Sequence, residues 1–308
     1  MDRMTWVTQW EAWRAAMGAP SSRQRKQVDA FLQTRPSLLY WGDSWFSTML
    51  YLNLARQSVR RIDGMGILIG KPGATADQLF SPAQVKEKAG RLQRWPFDLV
   101  CVSAGGNDAL SERLGVVFRD WVQGSRRDRL DADQAYELLL ASEVFPTIRK
   151  AYTRLLDAIG EVRRHDKPRL RVLAHSYARI HRIGVKADLR VANIGLIALL
   201  KGDVGPWLWK VMRHVLPDEA AGKVFADRLL VDGFLNSVLQ PLASPQQYGE
   251  FFSVADFSQL AEARSPGFWN DEIHPTEEGF GVLAEHFNAA IRVLLPPEKQ
   301  DAVGRLPI

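Results

Sequence analysis

Residues 37–58, "SLLYWGDSWFSTMLYLNLARQS", decide the reading of the fold. An apolar, β-prone run ends at Gly42-Asp43-Ser44. From Trp45 onward, apolar residues recur at three- and four-residue intervals, the spacing of a helix packed on a sheet. Ser44 therefore stands where a strand turns into a helix. The same alternation continues along the chain. Short β-prone runs at 59–69 (in part), 97–105, 169–176 and 250–257 are separated by long helical segments, which predicts an α/β fold with a five-stranded parallel sheet.

The chain has 308 residues, 46% of them hydrophobic, enough for a large core in a single domain spanning 1–308. The N-terminus, about 1–35, reads as a helical extension with tryptophans at helical spacing. Two stretches exceed a minimal five-stranded unit, about 109–167 and 177–249, and are expected to be helical insertions above the sheet. The last long helix is expected after Pro275, with Thr276 as its cap and Phe280, Leu283, Phe287 and Ile291 on one face.

A net charge of +5, spread along the chain, gives no basic tail or patch and does not support nucleic-acid binding. The single cysteine, Cys101, lies in an apolar run and excludes an intrachain disulfide. The N-terminus lacks the uninterrupted apolar core of a signal peptide, and the apolar run 191–200 is half of the roughly 20 residues a spanning helix needs. A cytoplasmic location is the default expectation, with a non-Sec route left open. No HExxH, Cys-x-x-Cys or carboxylate-rich loop points to a metal, and no cofactor is expected.

In an open parallel sheet, ligands bind beyond the carboxyl ends of the strands. Four polar motifs fall there: Gly42-Asp43-Ser44, Gly70-Lys71-Pro72-Gly73-Ala74-Thr75, Gly105-Gly106-Asn107-Asp108 and Asp271-Glu272-Ile273-His274. Together they supply what acyl transfer needs. Ser44 is the candidate nucleophile, His274 the base that takes its proton, and Asp271 the carboxylate that holds the imidazole, with Glu272 a neighbouring alternative. The Ser44 N–H, the Gly73 loop and the Asn107 amide are candidate oxyanion donors. Asp108 is expected to tie down its loop.

These four blocks, in this order, resemble those of the SGNH, or GDSL, hydrolases. The resemblance covers 60–80 residues around the blocks and leaves the insertions out. It implies a flavodoxin-like three-layer α/β/α sandwich and ester hydrolysis through an acyl-enzyme on Ser44. It also implies His274 as base, Asp271 rather than Glu272 as its partner, and an oxyanion hole from Ser44, Gly73 and Asn107. The usual leucine after the serine is Trp45, which changes one wall of the site. "GPWLWK" (205–210) and "FWNDEIHPTEEGF" (268–280) further resemble a bacterial subgroup of this superfamily.

Trp45, His175 and Trp207 are candidate substrate-pocket residues. The expected substrate is a short-acyl or acetyl ester of a small molecule or sugar. A lipase or lysophospholipase, an acyltransferase using the same serine, and a non-catalytic binding protein are the alternatives. A transient membrane-surface contact would run through 191–200, Trp207 and Trp209; no obligate protein partner is inferred. A rival nucleophile, Ser176, lies in Ala-His-Ser-Tyr-Ala, a degenerate form of the strained Gly-x-Ser-x-Gly turn.

Overall fold

The computed structural model describes residues 6–47, 52–186 and 205–304. Six parallel strands form one sheet: β1 (Trp6–Val7), β2 (Ser37–Gly42), β3 (Met65–Gly70), β4 (Leu99–Ser103), β5 (Arg171–His175) and β6 (Phe252–Ala255), in the order β1-β3-β2-β4-β5-β6. Without the edge strand, the order is that of a flavodoxin-like sheet. Every residue of β2 and β4 is buried, as expected for central parallel strands covered on both faces.

The sixth strand corrects the expected count of five. Trp6 and Trp10 read as one helical series, but the helix begins at Trp10, while Trp6 and Val7 pair with Gly66 and Ile67 of β3. A two-residue strand carries no period of its own, so the tryptophan spacing hid it. The helix expected across 45–58 is also interrupted. Its described parts are Ser44–Ser47 and Leu54–Val59, the second capped by the Asn53 side chain; the expected stretch 48–51 lies outside the described residues.

Neighbouring side chains of β2 show the layers directly, because they point to opposite faces. Tyr40 meets Phe287 of the helix Glu277–Leu294, whereas Trp41 meets Phe80, which in turn meets Tyr152 of the helix Val144–His165. Helices thus cover both faces of the sheet. Phe280, Leu283, Phe287 and Ile291 are fully buried, and the Thr276 side chain accepts the Gly279 N–H, as the sequence pattern predicts. Truncating Phe287 to alanine in such a core costs about 3–5 kcal/mol.

Val144–His165, expected within an insertion, instead packs beside Pro82–Arg94 as part of a flanking layer. The additional elements before it are short helices within 107–140. The second stretch contributes Trp209–Met212, Glu219–Asp227 and Arg228–Leu239, the last wound as a π-helix. The apolar run 191–200 lies outside the described residues. No helix among the described residues is long and apolar enough to cross a membrane.

Candidate active site

The turn after β2 places Ser44. A Cβ on Gly42 would lie 2.7 Å from the Ser103 side chain and carbonyl of β4, so the strand can pass this close only as glycine. Asp43 then closes the turn. Its Oδ1 accepts the Trp45 N–H at 3.0 Å and the Ser103 hydroxyl at 2.8 Å, and its Oδ2 accepts the Tyr177 hydroxyl at 2.9 Å. Burial pushes Asp43 above the usual carboxylate range, opposed by these donors and by the charge of His274.

His274 comes from the loop before the last long helix. Its Nε2 lies 3.3 Å from Ser44 Oγ, and its Nδ1 lies 3.0 and 3.2 Å from the two oxygens of Asp271. Asp271 is fully buried, and its Oδ1 also accepts the backbone N–H groups of Ile273 and His274 at 2.8 Å each. Those bonds hold the carboxylate still within its own loop. Burial disfavours a charged imidazole, yet the adjacent Asp271 and, at longer range, Asp43 hold the His274 pKa above its ordinary 6.5.

Glu272, the neighbouring carboxylate, points elsewhere. Its oxygens accept the N–H groups of Gly184, Leu208 and Trp209 at 3.0, 2.7 and 3.0 Å, leaving Asp271 as the partner of His274. Burial raises its pKa against the pull of these backbone donors.

The two glycine blocks meet beside Ser44. Gly73 has φ +72° in a turn closed by the Ala74 N–H to the Lys71 carbonyl, and Pro72 precedes it, the residue pair that such a turn favours. Asn107 opens a short 3₁₀ turn after β4, and its amide donates to the Ala74 carbonyl at 3.1 Å, tying one block to the other. One N–H of that amide remains for another acceptor. Among the described residues, the Ser44 and Gly73 N–H groups meet no protein acceptor. Asp108 accepts the Ala76 N–H at 2.7 Å, and burial pushes its pKa up to about 7. It ties down its loop, as expected.

Ser44, Trp45 and Asn107 border an apolar cavity of about 50 Å³, also lined by Leu208, Leu229 and Leu230. Gly73 is not part of its lining. Of the other expected pocket residues, one turns away from this cavity and one packs on the candidate base. His175 is 2% exposed, stacked between Trp45 and Phe257 at ring distances of 5.3 and 5.5 Å, and does not line the cavity. Burial pushes its pKa down to about 4, so it is a neutral ring supporting Trp45 from behind. Trp207 packs perpendicular to the His274 ring, centroids 5.2 Å apart, and so stands directly beside the candidate base. His175 ends β5, and sequence adjacency could not show that its ring turns into the core.

The rival Ser176 is fully buried. Its hydroxyl donates to Asp256 at 2.9 Å and accepts the Phe257 N–H at 2.7 Å, the work of a loop brace. Sequence reasoning missed Tyr177, the next residue. Its hydroxyl donates to Asp43 and accepts the Gly106 N–H at 3.1 Å, joining the serine turn to the Gly-Gly-Asn-Asp block. Only its place just beyond a strand end hinted at this.

No family model matches the chain, and no curated protein matches it. Among solved structures, the chain is similar to a lipase from a goat rumen metagenome, at 15% identity over 83% of this chain and 97% of that one, with a TM-score of 0.49. It is similar to a carbohydrate acetylesterase from Sinorhizobium meliloti at 15% identity, over 85% and 100% of the two chains, with a TM-score of 0.41. A member of the lipolytic G-D-S-L family from Veillonella parvula aligns at 14% identity, over 81% and 94%, with a TM-score of 0.38. At likeness this distant, the functional reading rests on this chain's own side chains.

Proposed function

We propose that this chain is a serine hydrolase of carboxylic esters, selective for short acyl groups, with Ser44 as nucleophile. The observation that carries this reading is the hydrogen-bonded series from Ser44 Oγ through His274 to Asp271, opening on an apolar cavity. It is assembled from residues 230 positions apart in sequence. The order of the four blocks, which resembles that of the SGNH hydrolases, supports it independently.

In this reading His274 Nε2 takes the Ser44 hydroxyl proton as Oγ attacks the ester carbonyl. Asp271 keeps the proton on Nδ1 and stabilises the imidazolium that forms. The tetrahedral oxyanion is held by the Ser44 and Gly73 N–H groups and the remaining Asn107 amide N–H. Collapse expels the alcohol, which leaves with the proton from His274. The same histidine then activates water to release the acid and restore Ser44.

The acyl group would enter the cavity beside Trp45. A space of about 50 Å³ lined by Leu229 and Leu230 suits a few carbons rather than a fatty chain. Hydrolysis of p-nitrophenyl esters from acetyl to palmitoyl, by wild type and Ser44→Ala, tests the reading. Short esters should be cleaved best and the variant should be inactive. Equal activity in both proteins would refute the nucleophile, and a palmitoyl optimum would replace the short-acyl reading with a lipase.

A further inference from the structure

Glu272 is a fully buried carboxylate beside Asp271, with no part in the proton transfers above. A buried carboxylate is costly unless donors surround it. Here the donors are backbone N–H groups from two separate arms of the inserted segment. Gly184 supplies one arm; Leu208 and Trp209 supply the other, with a further backbone bond from Trp207. The Glu272 N–H returns a bond to the Val185 carbonyl at 3.1 Å. One residue therefore ties two stretches of this segment, 184–185 and 207–209, to the loop that carries His274.

What it fastens borders the reacting groups. Leu208 lines the apolar cavity, and the ring of Trp207 stands perpendicular to that of His274. Residues 205–208 form no regular helix or strand, so the N–H groups of Trp207 and Leu208 need acceptors from elsewhere. Asp271 does not depend on this clamp, since it holds His274 through bonds within its own loop.

We propose that Glu272 is a positioning residue that fixes the Leu208 wall and the Trp207 ring, and thereby sets acyl-chain selectivity. This rests on the reading of Ser44 and His274 as an ester-hydrolysing pair. Glutamine has nearly the same shape but replaces one acceptor oxygen with a donor that opposes the backbone N–H groups. Releasing the wall lets longer acyl groups enter while the proton relay remains.

The test compares kcat/KM for p-nitrophenyl acetate and octanoate in wild type, Glu272→Gln, Glu272→Asp and a stability control. Asp98→Asn is that control: Asp98 bonds Lys299 at 2.7 and 2.8 Å and the Ser37 N–H, at the opposite ends of the strands from the site. The octanoate-to-acetate ratio should rise by roughly tenfold in Glu272→Gln, the scale at which an apolar pocket discriminates chain length. Glu272→Asp, which keeps the charge on a shorter stem, should shift the ratio in the same direction by less, and it carries the test if the glutamine variant does not fold. An unchanged ratio in the folded variants, or an equal shift in Asp98→Asn at matched Tm loss, overturns the proposal. Wild-type activity retained in Ser44→Ala would overturn the underlying reading, and this assignment with it.

Discussion

The polar half of the site and its apolar half come from different parts of the chain. Ser44, Asp43, Gly73 and Asn107 sit within a few residues of strand ends, where the central sheet fixes the backbone. His274 and Asp271 share one short loop before a buried helix. The apolar half is drawn from the irregular stretch around Tyr177 and Leu208 and from the π-helix carrying Leu229 and Leu230. In the proposed reading, chemistry is mounted on the rigid sheet and selectivity on additions to it. Changes to the first half should alter how fast any ester reacts; changes to the second should alter which ester reacts.

The largest effect should follow Ser44→Ala, which removes the nucleophile and lowers kcat by about 10⁴-fold or more on every chain length. Asp271→Asn should cost roughly 10³–10⁴-fold in kcat by leaving His274 in the wrong tautomer. A loss confined to KM would contradict that role. Asn107→Ala should lower kcat about 10²-fold with little change in KM, because its donor acts chiefly on the transition state. Leu230→Ala should leave acetate turnover nearly intact and raise relative activity on longer esters by about tenfold. If that variant instead depresses all esters equally, the two halves are not separable.

The subtlest effect is on pH. His274 must be neutral to accept the serine proton, so kcat/KM should rise with pH through an inflection above 6.5. The sign for stability is opposite. A histidine whose folded pKa is raised stabilises the fold fully below its unfolded pKa, and that contribution is lost as pH rises through the folded pKa. Asp108, pushed to about 7, titrates in a neighbouring window. Asp108→Asn should therefore keep the activity inflection while changing stability. Disappearance of the inflection in that variant would move the titration away from His274.

The polar half was legible in sequence because its residues belong to short motifs that need only a strand end to be placed. Gly-Asp-Ser, Gly-Gly-Asn-Asp and Asp-x-x-His each carry their own turn chemistry. The partner choice between Asp271 and Glu272 was harder, since adjacent carboxylates look alike until the backbone decides which faces the imidazole. The edge strand at Trp6 was lost because two residues have no period. The orientation of His175 could not be read because which face an aromatic ring presents depends on packing between distant segments. The role of Tyr177, 134 residues from the Asp43 it bonds, left no local trace beyond its place just after a strand end.

One measurement bears most directly on the central claim: reaction of wild type, Ser44→Ala and His274→Ala with a small fluorophosphonate, followed by intact mass and peptide mapping. A single adduct on Ser44, absent from the serine variant and strongly slowed in the histidine variant, is the predicted result. An adduct on Ser176, or ester hydrolysis without any adduct on Ser44, would contradict it.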